Sequence, residues 1–457
     1  MMDVVFDLIK NISNTKYEKL PLEAVDVAKK AILDTLAAVV AGSTAEGCKS
    51  VVDLVKDWGG KPESTIIVYG GKVPANLAAL AFGPMARARD LGNVNDGIGG
   101  RYSTHVDEYI LPAAFPLAER IGGVSGKEFV TALVLGEDLL VRLSAASKIP
   151  MQMSGRHLVI VFGPTATCAK LLDLDEDQMV NAFGLAYAQK IGDMQAYDDG
   201  ALSKNIRHGF AADAAIKSVL LAEKGVTGAR NILQGRYGYF SSIEPEHDLS
   251  ALTSELGTKF LGVLSSFKQY ASCNATHPAI DATLALVRKH NIKPKDVAEI
   301  QVSLNNIKMN IVCRPREVKF HPQSFVECQF SLPYCVSNAI VKKDVFIDDF
   351  APEARNHPET RKLIEKVKPI VDDSLPYLST IVTIRTKDKK KYTKRVDYKK
   401  GHPLNPMSME DIVEKFEKCR QYSAKPIPRE NVEEVIEMVR HIERLDDVSS
   451  LVTLLTP

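Results

Sequence analysis

Apolar residues recur at three- and four-residue spacing from residue 3 to about residue 260. Two stretches show the pattern well: LEAVDVAKKAILDTLAAVVAG (22–42) and GKEFVTALVLGEDLLVRLSAA (126–146). Both end in glycine or small residues, and their alanine content suits closely packed helices. The pattern predicts an all-helical bundle over residues 1–265.

The pattern changes near residue 265. VAEIQVSLNNIKMNIV alternates apolar and polar residues, and LSTIVTIRTKDKKKYTKRVDY predicts two strands around a lysine-rich turn. Helical segments, HPAIDATLALVRKH and PETRKLIEKVKPIV, lie among these strands. Residues 266–400 are therefore predicted to form an α+β domain.

A glycine and two prolines in YKKGHPLNPMS mark the end of that domain. Ser408 and Asp411 have the spacing of a capping box, so a helix is predicted to follow them. A helical tail, 401–457, most economically packs back on the first bundle. The predicted fold is mainly α, with a helical bundle built from both chain ends and an inserted α+β domain.

Bulk composition limits the classes of function. Fifty-eight basic residues balance 57 acidic ones, so charge indicates neither nucleic acid nor a membrane surface as partner. The N-terminus mixes acids and lysines into its apolar pattern, unlike a signal peptide, and no apolar run is long enough to span a bilayer. The seven cysteines include no C-x-x-C pair. These features predict a soluble cytoplasmic protein without a metal centre.

The polar stretch RARDLGNVNDGIGGRYSTHVDEY (87–109) interrupts the helical pattern and contains His105. A glycine-rich loop can bring its backbone close to a small ligand. The alternative is a solvated connection whose histidine has no role.

His157, in SGRHLVIVFGPTATCAKLL, precedes a small-residue helix. That helix could bind an anion at its N-terminus, or it is simply a capped core helix. No P-loop is present there, because GPTAT lacks the lysine and the spacing.

Three cationic side chains, Lys204, Arg207 and His208, crowd the predicted start of an alanine-rich helix. Positive charge opposes the helix dipole there, and such local conflicts are typical of functional sites. The alternative is neutralisation by Asp198 and Asp199.

Further candidates lie near and beyond the predicted domain border. Lys268, Tyr270 and His277 fall in FKQYASCNATHPAID, and domain borders favour small-molecule sites. Tyr334 lies within an apolar run, so a core tyrosine is the alternative. The whole set has too few acids for a hard-metal cage, and no G-x-S-x-G elbow accompanies it. It suits a polyanionic small molecule, with cations binding carboxylates while a histidine or lysine moves a proton.

These motifs, taken in order, resemble the MmgE/PrpD family, which includes 2-methylcitrate dehydratase, cis-aconitate decarboxylase and iminodisuccinate epimerase. The resemblance spans the chain and rests on the following stretches: ARDL with His105 downstream, LPAAFPLAERIGGVSGKEFVTALVLGEDLLVRL, MQAYDDGALSK, LQGRYGYF, FKQYASCNATHPAID, QFSLPYCVSNAIV and GHPLNPMSMEDIVEKF.

The resemblance implies a helical domain, an α+β lid, a homodimer and a cofactor-independent site in the cleft between domains. It also implies a small anionic carboxylic acid as substrate, with no nucleic acid and no membrane as partners. Carried over by position, the implied site residues are Asp90, His105, His157, Lys204, Lys268 and Tyr334, with His277 in the motif THPAID. We assign catalysis to His105, His157, Lys204 and Tyr334, and substrate binding to Asp90, Lys268, His277, Arg207 and His208. The last two come from the residues themselves, since the family often has a histidine where Arg207 stands and this chain has its histidine at 208.

Several positions depart from the family pattern. Val94 stands where a threonine is common, Val106 replaces the proline after His105, and the loop between Asp90 and His105 is longer. These changes concern substrate choice more than proton-transfer chemistry. The expected activity is therefore a lyase on a di- or tricarboxylic acid, with a dehydratase placed first and a decarboxylase or epimerase as alternatives. A non-catalytic carboxylate-binding protein is the alternative from another class.

Overall fold

The computed structural model describes residues 3–96, 104–148, 160–192 and 195–457, apart from the side chain of Asp198. The chain divides into two compact units. The first contains residues 1–88, 92–265 and 408–457, and the second contains residues 89–91 and 266–407. The inserted unit therefore ends at residue 407, compared with residue 400 in the sequence-based boundary, and it includes a short piece of the polar loop.

The first unit is helical, as the spacing predicted. Its helices are α1 (Val5–Asn14), α2 (Leu22–Gly42), α3 (Cys48–Trp58), α4 (Ala75–Ala88), α5 (Asp107–Ile121), α6 (Gly126–Ala146), α7 (Phe162–Leu171), α8 (Glu176–Ala188), α9 (Gln195–Asp198), α10 (Ser203–Glu223), α11 (Tyr239–Ser242) and α12 (Ser250–Thr253). The bounds of α2 and α6 coincide with the two stretches singled out by their periodicity.

Helix α5 lies at the centre of this unit. Its residues from Asp107 to Ala118 are all buried, and α4, α6, α7 and α10 pack around it. The described residues of this unit also form two antiparallel strand pairs, β1 (Ser64–Thr65) with β2 (Lys72–Val73) and β3 (Val94–Asn95) with β4 (Thr104–His105). The second pair lies in the polar stretch between α4 and α5, so that stretch is anchored at both ends.

Strand β5 (Ser265–Ser266) marks the passage into the second unit. The helices of that unit are α13 (His277–His290), α14 (Asn306–Val312), α15 (Arg316–Lys319), α16 (Phe325–Gln329), α17 (Leu332–Lys342), α18 (Pro352–Arg355) and α19 (Pro358–Ile364). Its strands are β6 (Val297–Leu304), β7 (Val367–Val371), β8 (Thr380–Thr386) and β9 (Lys391–Val396). They form a sheet in the order β7-β6-β8-β9, with β6 parallel to β7 and the other neighbours antiparallel.

The α+β character and the β8–β9 hairpin are confirmed, but two segment assignments were wrong. The alternation predicted a strand through residue 312, whereas β6 ends at Leu304 and α14 follows. The Asn305 side chain accepts a hydrogen bond from the Lys308 amide and so caps that helix. The helix predicted over 358–371 stops at Ile364, because β7 follows; Pro369 is tolerated in β7 because this strand lies at the sheet edge.

The tail returns to the first unit as α20 (Met409–Arg420), α21 (Arg429–Arg440) and α22 (Ser449–Leu454). The predicted capping box is present, since Ser408 accepts from the Asp411 amide and Asp411 accepts from the Ser408 amide. Helix α20 packs on α2, where Lys415 and Asp34 form a buried ion pair at 2.6 Å. The mainly α fold with an α+β part is thus confirmed.

Candidate active site

A close crossing of α4 and α10 positions the first group of candidate residues. A Cβ atom on Gly83 would lie 2.1 Å from the Gly209 amide nitrogen, and one on Gly209 would lie 2.3 Å from the Leu80 carbonyl oxygen. The two helices can approach this closely because neither glycine carries a side chain. The crossing brings Arg87, one turn beyond Gly83, near the polar first turns of α10.

The predicted cations of α10 are buried within the helical unit. Lys204 and His208 are fully buried, and Arg207 is 5% exposed. Tyr197 of α9 lies near two of them: the Lys204 Nζ atom is 5.9 Å and the Arg207 Cζ atom 5.0 Å from its ring centroid. Arg207 also donates a hydrogen bond of 2.7 Å to the Tyr197 hydroxyl. The positive charges at the start of α10, which oppose the helix dipole, are therefore shielded from water, and charge interactions are stronger there.

Glu108 is the centre of the polar group beside α10. Its carboxylate is fully buried, and Oε2 lies 3.0 Å from His105 Nδ1, 3.6 Å from Arg87 Nε and 3.7 Å from His208 Nε2. Oε1 accepts a hydrogen bond of 3.1 Å from the Gly92 amide. A side chain at position 92 would clash, because its Cβ would lie 2.3 Å from that same oxygen. Sequence reasoning missed Glu108, although its spacing of three residues from His105 at a helix start was visible.

His208 is a neutral member of this group. Its ring stacks on Tyr109 with the centroids 3.9 Å apart and the planes within 6°. Burial holds the pKa of His208 well below 6.5, and the charges of Arg207 and Arg87 lower it further. His208 is therefore uncharged near neutral pH, and the cationic members are Arg87, Arg207 and Lys204.

The described parts of the polar stretch, residues 87–96 and 104–109, are mostly buried rather than solvated, and a role for His105 stays a prediction. Asn93, Asn95 and Asp96 are at most 1% exposed. Asn93 donates to Asp107 through its amide group, and the Asp107 amide donates back to the Asn93 side chain at 3.3 Å. Burial raises the pKa of Asp107 to about 6 and raises that of the neighbouring Glu137 well above its usual range. Glu137 therefore stays protonated and donates to Asp107, which secures the start of α5.

The second unit holds another group of candidate residues. Asp90 adopts a left-handed backbone conformation, with φ of 53°. The Lys268 ammonium donates hydrogen bonds to its Oδ1 atom at 2.7 Å and to its carbonyl at 3.2 Å. Both side chains are 1% exposed. The two residues carried over separately by the resemblance therefore form one buried ion pair.

His277 begins α13 and is fully buried beside that pair. Its Nε2 atom lies 3.2 Å from the Ser272 carbonyl oxygen, and its ring packs edge-on against Tyr270 at 5.1 Å. Burial lowers the pKa of His277 well below 6.5, and the charges of Lys399 and Lys268 lower it further. Like His208, His277 is thus a neutral imidazole near neutral pH.

Tyr334 lies in the interior of the second unit. Its hydroxyl donates to the Asp349 carbonyl, and its ring lies 6.0 Å from that of Phe350. The side chain is fully buried, as a core tyrosine is. Its catalytic role stays a prediction.

Among the sequence-based candidates, the helical unit groups His105, Lys204, Arg207 and His208, and the second unit groups Asp90, Lys268 and His277. His157 lies outside the described residues, so its role also stays a prediction. Sequence reasoning missed Arg87, Glu108, Tyr109 and Tyr197.

Within the described parts of the chain, no three His, Cys, Asp or Glu side chains are placed to hold a metal ion. None of the described helices has the length and apolar character needed to cross a membrane.

Comparison with known proteins gives two family matches along the chain. Residues 7–252 match the MmgE/PrpD N-terminal domain, and residues 270–442 match the MmgE/PrpD C-terminal domain. Curated relatives include cis-aconitate decarboxylases from three organisms. The human protein is 27% identical over 97% of this chain and 92% of its own length. The Mus musculus protein is 26% identical over 94% and 88%, and the Aspergillus terreus protein 25% identical over 97% and 94%.

Both family domains are thus present, in order, along a chain whose helical unit and α+β unit each bury a group of charged candidate residues. The chain belongs to the MmgE/PrpD family.

Proposed function

We propose that this protein is a lyase that acts on a small di- or tricarboxylic acid without a metal or organic cofactor. One observation carries the proposal: the group around α10 buries three cationic side chains, Arg87, Lys204 and Arg207, and one carboxylate, Glu108. Arginine and lysine side chains are the groups that bind carboxylates most strongly in proteins. A ligand with two or three carboxylates matches this set of side chains.

Decarboxylation is the first candidate reaction, because the relatives are cis-aconitate decarboxylases over nearly their whole lengths. In such a reaction the bond between carbon and a carboxylate breaks, carbon dioxide leaves, and the electron pair stays on carbon until it takes up a proton. Arg207 can bind a remaining carboxylate through its planar fork. Lys204 can stabilise the developing negative charge, and His105 can supply the proton.

Dehydration, placed first on sequence grounds, uses the same kinds of groups. A base removes a proton beside a carboxylate, the carbon–oxygen bond breaks, and the hydroxyl leaves as water after protonation. An epimerase returns the proton to the opposite face of the same carbon. Val94 and Val106 depart from the family pattern beside the candidate residues. We therefore expect this chain to differ from its relatives in substrate preference more than in acid–base chemistry.

The test is incubation of the purified protein with cis-aconitate, 2-methylcitrate and iminodisuccinate in deuterium oxide, followed by proton NMR and by detection of released carbon dioxide. Decarboxylation releases carbon dioxide and places deuterium on the product. Dehydration forms a double bond without carbon dioxide, and epimerisation exchanges the proton and inverts the centre. Binding of these acids by calorimetry with no turnover of any of them would instead support a non-catalytic carboxylate-binding protein.

Metal independence is tested in the same assay. Activity is expected to survive prolonged treatment with a chelator, and stoichiometric zinc or iron in active protein would contradict the proposal. The proposal also keeps the cytoplasm as the compartment, because all seven cysteines are free thiols, six of them buried, as is usual in a reducing environment.

A further inference from the structure

Three nitrogen atoms from three segments converge on one oxygen atom of Glu108. Arg87 ends α4, His105 ends β4 and His208 lies in α10, and each places a nitrogen within 3.7 Å of Oε2. The carboxylate is fully buried, so water cannot share its charge. Its second oxygen accepts from the Gly92 amide, whose segment has no room for a side chain. Contacts to both of its oxygen atoms, from four different residues, therefore fix the position of this carboxylate.

His105 is the member of this group whose proton can exchange. Arg87 is permanently charged and 1% exposed, and His208 is fully buried and neutral. The His105 side chain is 15% exposed and makes the shortest contact with Glu108, at 3.0 Å. An unprotonated Nδ1 atom and a carboxylate oxygen only 3.0 Å apart would repel each other, since both carry negative partial charge. The contact therefore requires a proton on Nδ1, which leaves Nε2 as the nitrogen that gains and loses a proton.

We propose that Glu108 is a positioning residue that keeps His105 in the Nδ1-protonated tautomer and so presents Nε2 for proton transfer. The inference deepens the proposed function and rests on it only where His105 is taken to act on substrate. The arrangement corresponds to the general case of a base oriented by a third, buried carboxylate. Position 108 enters neither the sequence-based site nor the set carried over from the family.

A purely structural role, in which Glu108 is the counterion of Arg87, makes a different prediction. In that case the tautomer of His105 does not depend on Glu108. The distances favour the positioning role, because the contact with His105 is 0.6 Å shorter (3.6 Å against 3.0 Å) than the contact with Arg87.

The test is NMR of protein labelled with nitrogen-15 in histidine, using His105→Gln to assign the His105 signals. In the wild-type protein, at a pH where His105 is neutral, Nδ1 is expected to carry the proton. In Glu108→Ala the Nε2-protonated tautomer should predominate. Asp107→Asn is the matched control, because it changes the adjacent carboxylate, which contacts Asn93, and should leave the tautomer unaltered.

A wild-type His105 protonated on Nε2, or a tautomer that is the same in wild type and Glu108→Ala, would overturn the inference. The wild-type measurement stands even if the variant folds poorly, and it needs no substrate. Once a substrate is found, Glu108→Gln should lower kcat by on the order of tenfold or more while KM changes little, since it alters the acid–base group rather than a carboxylate contact. If the proposed function is wrong, the kcat comparison cannot be made, but the NMR measurement of the His105 tautomer still tests the inference.

Discussion

A lysine buried completely in the first turn of a helix is unfavourable for folding, both because its charge is desolvated and because it opposes the helix dipole. Lys204 of α10 is such a residue. We expect Lys204→Met to lower turnover by on the order of a hundredfold or more, because methionine cannot stabilise negative charge or move a proton. Initial rates test this, with circular dichroism as the folding control, and near-normal turnover would show that Lys204 lies outside the chemistry.

Loss of one partner of the buried pair of Asp90 and Lys268 should lower the stability of the folded protein. Lys268→Met leaves a carboxylate buried without its cation, and loss of one partner of a buried pair typically costs about 3–5 kcal/mol. In the double variant with Asp90→Asn no such charge remains, and asparagine tolerates the left-handed backbone at that position. Denaturant unfolding of the two single variants and the double variant measures the coupling. Strictly additive losses would mean that the two side chains do not interact as the 2.7 Å contact indicates.

These residues also show what a linear pattern can reveal at this scale. The unusual cations Lys204, Arg207 and His208 stand out because they violate a local rule in a helix start. Glu108 violates none, because an acid in the first turn of a helix is ordinary. The buried group around its carboxylate includes Arg87 and His208, which come from other helices.

At the scale of elements, the crossing of α4 and α10 determines where these side chains lie. Gly83→Ala places a methyl group in the space of the Gly209 backbone, so the helices must separate. We expect a loss of stability of several kcal/mol, as for other overpacked contacts of this severity, and a loss of activity. The control is Gly122→Ala, which has open space around it but a φ of 74°, and should cost only about 1–2 kcal/mol. Equal losses in the two variants would contradict a close crossing.

The start of α5 gives a pH prediction. The pKa of Asp107 is raised by burial from 3.8 to about 6, so the folded protein binds this proton more tightly than the unfolded chain does. Between pH 4 and 6 that contribution to stability is lost as the pH rises, because the carboxylate must ionise in a buried site. Relative to wild type, Asp107→Asn should therefore gain on the order of 2–3 kcal/mol between these limits. Unfolding free energies at several pH values test this, and a pH-independent difference would contradict it.

At the scale of the whole molecule, the resemblance implied a homodimer, which we keep as a proposal. Light scattering coupled to size-exclusion chromatography should give twice the mass of the chain, at concentrations down to those used in the activity assay. A monomer that is fully active would contradict it.

The sequence by itself determined the class of each half, the bounds of α2 and α6, the capping box at Ser408 and the family. These features depend on periodicity and on contacts between residues close in the chain, so a linear pattern contains them. The linear pattern assigned the wrong secondary structure after Asn305, whose side chain caps a helix, and around Pro369, which lies in an edge strand. Only the tertiary structure paired Asp90 with Lys268, made His208 and His277 neutral, and brought Arg87 and His208 to Glu108, because burial and charge proximity arise from segments far apart in the sequence.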